Sequence, residues 1–116
     1  MNFTNVVDIV QVFANEYCTP ASLVLIIKPG EYDFKGIFSF INSETITIDD
    51  VPGENIDIVS DVLPFEENSF DLIINFSSNV KEIKKFLKKH GKCLTGEFVV
   101  DALEYYKLNF TFFSVV

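Results

Sequence analysis

The chain has 116 residues, enough for a single domain over residues 1–116. Hydrophobic residues at 48% and aromatics at 15% exclude a disordered chain, and so apolar a small domain is expected to share surface with a protein partner or a second copy. Nine lysines and no arginine against 17 acids give a net charge of −8, which argues against a nucleic-acid partner.

Thr4 to Tyr17 places Val6, Val7, Ile9, Val10 and Phe13 on a helical period, with Thr4 or Asn5 as cap and Thr19-Pro20 as stop. Ala21 to Ile27 is a continuous apolar run of strand length, the pattern of a strand buried on both faces. Lys28-Pro29-Gly30 breaks it. Glu31 to Asn42 predicts a short helix with Phe34, Ile37, Phe38 and Ile41 on one face. Glu44 to Asp49 alternates as a second strand, Asp50-Val51-Pro52-Gly53 turns, and Asn55 to Ser60 is a short third strand. Asp61 to Ser69 is a loop. Phe70 to Phe76 is a second strand of the doubly buried type.

Val80 to Lys89 predicts a lysine-rich amphipathic helix with Val80, Ile83, Phe86 and Leu87 inward and Gly91 as its left-handed C-cap. Cys93 to Val100 is a fifth strand, Asp101 to Leu108 a helix, and Phe110 to Val116 a last strand. Strands that mostly alternate with helices predict a three-layer α/β sandwich with a mainly parallel sheet. Leu23–Ile27 and Phe70–Phe76 stand at its centre. The link between the second and third strands is too short for a helix, so the fold is reduced in size. The expected core is Val24, Ile26, Ile48, Ile58, Leu72, Ile74, Ile83, Phe86 and Leu87.

Cys18 and Cys93 form no CxxC pair, and with the single His90 they make no metal-ligand set. A reducing, cytoplasmic setting is expected. The N-terminal MNFTNVVDIV lacks a basic n-region and carries Asp8, so no signal peptide is expected. The longest apolar run, Leu23 to Ile27, falls far short of the roughly 20 residues that span a bilayer, so no membrane partner is expected.

Between Asp57 and Ile74 the chain reads DIVSDVLPFEENSFDLII. This closely resembles the segment of class I S-adenosylmethionine-dependent methyltransferases written roughly D-I-V-x-D-A-x-x-L-P-F-x-D-N-S-F-D-L-I. Leu63-Pro64-Phe65 and Asn68-Ser69-Phe70-Asp71 keep the family's spacing. Upstream, Ile48-Asp49-Asp50-Val51-Pro52 looks like the end of its second strand. Downstream, Phe86 to Leu94 resembles its V-L-K-P-G-G-R-L turn, with Lys89 and His90 for Pro and Gly. The resemblance runs from about Ala21 to Leu94 and implies a Rossmann-like sheet. It also implies that Gly30, Asp49 and Asp61 would be the cofactor-binding residues if S-adenosylmethionine binds, Asp49 toward the ribose and Asp61 toward the adenine.

The chain departs from the family at the glycine-rich loop after the first strand, approximately D-x-G-x-G-x-G. Here the loop is Ile26-Ile27-Lys28-Pro29-Gly30-Glu31-Tyr32. One glycine remains, Pro29 has no N–H to donate, and Lys28 puts a cation where a sulfonium would sit. The expectation is therefore that no cofactor is bound, with S-adenosylmethionine the cofactor if the chain is active. Asp49 and Asp61 can equally be solvated acids at strand ends. Asp71 caps or turns into a strand.

Asn75-Phe76-Ser77-Ser78 keeps only the Asn of the family's N-P-P-Y, and its serines read as caps. His90 as a base competes with a solvated turn residue, and Cys93 as a nucleophile with a small buried apolar residue. Lys81, Lys84, Lys85, Lys88, Lys89 and Lys92 hold six of the nine positive charges, either as a docking face or as a solvated helix back. The reading is a methyltransferase-like domain with a degraded cofactor loop acting as a binding or scaffold module. The N-terminal domain of anamorsin-type proteins is a similar case. The alternative is a minimal active methyltransferase of unknown substrate. A third possibility, compatible with the first, is a subunit whose apolar C-terminal edge pairs with another chain.

Overall fold

The computed structural model describes residues 6–30, 32–77, 83–100 and 106–114. Thr4, Asn5, Glu31, Ser78, Val80, Lys81, Asp101 and Val116 of the expectations above lie outside them. The elements are α1 (Val6–Tyr17), β1 (Leu23–Ile27), α2 (Lys35–Phe40), β2 (Glu44–Asp49), β3 (Ile58–Val59), β4 (Phe70–Asn75), β5 (Leu87–Val100) and β6 (Tyr106–Ser114), with one 3-10 turn at Lys84–Phe86. They form one six-stranded sheet in the order β3-β2-β1-β4-β5-β6. The first five strands run parallel and β6 is antiparallel to β5.

β1 and β4 sit at the centre, as their doubly apolar sequences require. Val24 pairs with Leu72 and Ile26 with Ile74, and all four side chains are buried. Because side chains alternate along a strand, neighbouring residues feed opposite layers. Val24, Ile26, Leu72 and Ile74 pack under Val10, Phe13 and Ala14 of α1 and under Phe34 and Phe38 around α2. Leu25, Ile27 and Ile73 face the other way, against Phe70, Ile83, Phe86 and Leu87, with Leu63 and Phe65 packed on them. The first layer is helical. Among the described residues the second is a loop and a 3-10 turn. Every expected core residue is buried except Ile58, which is half-buried at the edge.

Helix α2 ends in a Schellman motif. Asn42 takes a left-handed φ of 61°, its N–H reaches the Ser39 carbonyl, and the Ser43 N–H reaches Phe38. The parallel step from β2 to β3 is made without a helix, as expected. It is held instead by Asp57, whose carboxylate accepts the Thr47 N–H at 2.9 Å and pairs with Lys35. The Thr47 hydroxyl donates to the Asn55 carbonyl at 2.6 Å and accepts the Asp57 N–H at 2.9 Å. Asp71 does the same work between β1 and β4, accepting the Leu23 N–H at 2.8 Å.

Two predicted helices are corrected. Of Val80 to Lys89, only Lys84–Phe86 is helical among the described residues, and strand β5 begins at Leu87. Ile83, Phe86 and Leu87, which fit a helical face, all pack into the second layer through this turn. The register from Phe70–Leu87 to Leu72–Lys92 consumes three extra residues on β5. His90 takes the left-handed φ, 66°, that was expected of Gly91. Gly91 is required for space: a Cβ there would meet the Lys88 carbonyl oxygen at 2.8 Å. The helix expected at Asp101 to Leu108 is likewise not formed from Tyr106 on, where β6 already pairs Tyr106 with Val100. Among the described residues no helix is long and apolar enough to cross a membrane.

Candidate functional site

Ligands of open α/β sheets bind beyond the C-terminal ends of the strands, where the connections diverge. Here that edge holds the end of β1 at Ile27, Asp49 at the end of β2, and Ser60 and Asp61 after β3. They surround a cavity of about 310 Å³ together with Lys28 and Lys85. Asp49 also borders a second hollow of about 370 Å³, on the side of Gly30, Pro52 and Gly53.

The three residues expected at a cofactor are thus only partly assembled. Asp49 touches both hollows, Asp61 only the first and Gly30 only the second. Asp49 is 6% exposed. Its two carboxylate oxygens accept backbone N–H groups, from Gly30 at 3.3 Å and from Val51 at 3.2 Å. The carboxylate therefore ties the Lys28–Gly30 loop to the turn after β2. Asp61 is exposed.

The loop itself is tightly turned. Lys28 and Gly30 both take left-handed φ values, 54° and 62°, and the Tyr32 N–H closes on the Pro29 carbonyl at 3.2 Å. A left-handed lysine is costly, since its Cβ crowds the backbone. The Lys28 ammonium reaches Asp50 at 3.5 Å, both side chains being about half exposed. Contact with the Asp49 carboxyl, its own backbone N–H and the Lys28 ammonium hold the Asp50 carboxyl below its ordinary value.

The remaining sequence candidates lie elsewhere or are already spent. The Asn75 side chain is fully buried and closes a turn, donating to the Ser77 carbonyl at 3.0 Å and accepting the Ser77 N–H at 2.8 Å. His90 sits at the opposite edge of the sheet, in a small cleft with Tyr17 and Lys92. Cys93 is buried, and desolvation pushes its thiol up to about 11, which denies it a nucleophile's role at neutral pH. No three His, Cys, Asp or Glu side chains among the described residues are placed to hold a metal.

The lysine run does not form one face. Lys85 lines the first cavity, Lys88 pairs with Asp71 at 3.5 Å, and Lys92 stands 5.5 Å over the Tyr17 ring. Sequence reading missed Lys85 because a helical period put it outward. No local signal marks the 3-10 turn that brings it in.

Comparison with known proteins bears on the fold. No family model and no curated protein matches the chain. Solved structures do. A putative S-adenosyl-L-methionine-dependent methyltransferase of Methanococcus maripaludis aligns with a TM-score of 0.62 and 20% identity, over 78% of this chain and 54% of its own. A Pyrococcus horikoshii protein aligns at 0.62 and 18%, over 94% and 73%. The 1,6-didemethyltoxoflavin-N1-methyltransferase of Burkholderia thailandensis, solved with S-adenosylhomocysteine, aligns at 0.60 and 11%, over 93% and 62%. The chain thus spans little more than half the length of the first and third of these. At these identities the likeness is one of fold: the chain shares the Rossmann-like, mainly parallel sheet of these structures.

Proposed function

We propose, from the premise of a class I methyltransferase fold, that this chain is a methyltransferase-like domain that binds S-adenosylmethionine weakly or not at all and works as a binding or scaffold module. One observation carries the reading: both oxygens of Asp49 are engaged by the backbone of the loops that should receive the cofactor. Each oxygen keeps a second lone pair, but the carboxylate is buried and already fixed to those loops, so a ribose gains few new bonds from it. Beside it Lys28 lines the cavity, with its ammonium 3.5 Å from Asp50. It repels the sulfonium and ammonium of S-adenosylmethionine. Pro29 and the single glycine leave few backbone donors for the cofactor's amino-acid end. The residues present do not fit this cofactor.

The module's ligand in this reading is a protein, either a different chain or a second copy. Strand β6 favours it. Among the described residues, its nine residues, Tyr106–Ser114, pair with β5 alone and stand at one edge of the sheet, where a further strand could add.

A second reading, a minimal active methyltransferase, is favoured by the cavity of about 310 Å³ that Asp49 and Asp61 share at the strand ends. Titration with S-adenosylmethionine, followed by calorimetry and thermal shift, separates the two. A ligand at 100 times its dissociation constant adds about 2.7 kcal/mol of stability. The expected result is no shift at millimolar cofactor. Micromolar binding that Asp49→Ala abolishes would make the pocket real and put the active-enzyme reading first.

A further inference from the structure

The opposite edge of the sheet carries a site that the methyltransferase fold does not account for. Where β1, β4 and β5 begin, a cleft of about 180 Å³ lies between the end of α1 and the turn before Lys92. Its basic wall is Lys89, His90 and Lys92, and its other wall carries Tyr17, Thr19 and Ser22. In a chain of net charge −8 such a concentration of positive charge is exceptional.

The lining carboxylate does not cancel it. Asp71 receives the Leu23 N–H at 2.8 Å and has its own cation, Lys88, at 3.5 Å. Among the described residues, no carboxylate lies within ion-pair distance of Lys89 or Lys92. Lys92 is held in place, 5.5 Å above the Tyr17 ring, with its ammonium donating to the His90 carbonyl at 3.4 Å. One of its three protons is used there. Opposite, the Thr19 and Ser22 hydroxyls lie 3.0 Å apart, and Ser22 is 7% exposed.

The turn that assembles the basic wall is specified by its backbone. His90 is left-handed, and Gly91 approaches the Lys88 carbonyl too closely for any side chain. Strained backbone of this kind persists where the surrounding structure holds it, often at ligand clamps.

We propose that this cleft binds a phosphate group of a small soluble ligand. A doubly charged anion with several acceptor oxygens matches two ammonium groups, an imidazole N–H and the one proton left over by the mutually bonded Thr19 and Ser22 hydroxyls, around a cleft of this size. A singly charged carboxylate uses fewer of those donors. The assignment is independent of the cofactor question, since the cleft and the Asp49 cavity open at opposite ends of the strands.

The test uses the whole chain and inorganic phosphate, followed by amide chemical shifts at constant ionic strength, with acetate as a parallel titrant. Phosphate is expected to saturate shifts at His90, Gly91 and Lys92. Lys89→Gln and Lys92→Gln should each weaken binding about tenfold. Lys92→Arg should retain most of it, and Lys84→Gln, outside the cleft, should leave it unchanged. Lys89 is exposed, so Lys89→Gln keeps the test valid even if Lys92→Gln unfolds the chain. Absence of saturation, equal saturation by acetate, or equal weakening by Lys84→Gln would overturn the proposal.

Discussion

Individual side chains in this protein divide into those that hold backbone and those that are free to do chemistry. The two cysteines show the contrast. Cys93 is buried with its thiol raised to about 11 by desolvation, whereas Cys18 is only half-buried, its sulfur 2.7 Å from the Ser43 hydroxyl. Iodoacetamide at neutral pH is expected to modify Cys18 in the native protein and Cys93 only after denaturation, as read by mass spectrometry. Equal native labelling would place Cys93 at the surface.

Asp57 is the second test at this scale. Burial raises its pKa, but hydrogen bonds from Lys35 and from Thr47 outweigh that, and the net displacement is downward from 3.8. A carboxyl whose pKa is lower folded than unfolded stabilises the fold above the unfolded value. That stabilisation disappears as pH falls through the lowered one. The Tm of the native chain should therefore drop more steeply below pH 4 than that of Asp57→Asn. Parallel curves would mean that Asp57 contributes nothing to acid sensitivity.

Among the elements, the central strands carry the stability. Ile74 is fully buried between Ile26 and its layer against α1 and α2, so Ile74→Ala is expected to cost about 2–5 kcal/mol in denaturant unfolding. A loss below about 0.5 kcal/mol, the scale of a surface substitution, would contradict its place in the core. These strands were legible because LVLII and FDLIIN are apolar on both faces, a pattern that few other environments accept. α1, α2 and the helix-free step to β3 were legible for similar local reasons.

The stretch from Ile83 to Gly91 was not. Ile83, Phe86 and Leu87 satisfy a helical period, yet tertiary pairing with β4 draws Leu87 into a strand. The site was legible only as a list. Asp49 and Asp61 were identified from their motif, but the two backbone N–H groups on Asp49 come from loops that no local pattern specifies. The lysine at 85 enters the cavity through the same misread turn.

At the scale of the whole molecule, the two layers flanking the sheet are unequal. Among the described residues one is made of α1 and α2, the other of Leu63, Phe65 and the Ile83–Leu87 turn. The loop and the turn are joined by backbone bonds from the Asn68 N–H to the Lys85 carbonyl and from the Ser69 N–H to Phe86, at 3.0 and 2.9 Å. Among the described residues, lifting this cover breaks few such bonds and unwinds no α-helix, so it is expected to open at lower cost than the central sheet. In native-state hydrogen exchange the Asn68 and Ser69 amides should exchange through a sub-global event. Those of Leu25 and Ile26, paired on both sides in the central sheet, should exchange only with global unfolding. A single free energy for all four would mean that the cover and the sheet open as one cooperative unit. Leu63, Ile83 and Phe86 also wall the cavity beside Asp49, so an opening of this cover would change the volume of that cavity without unfolding the sheet.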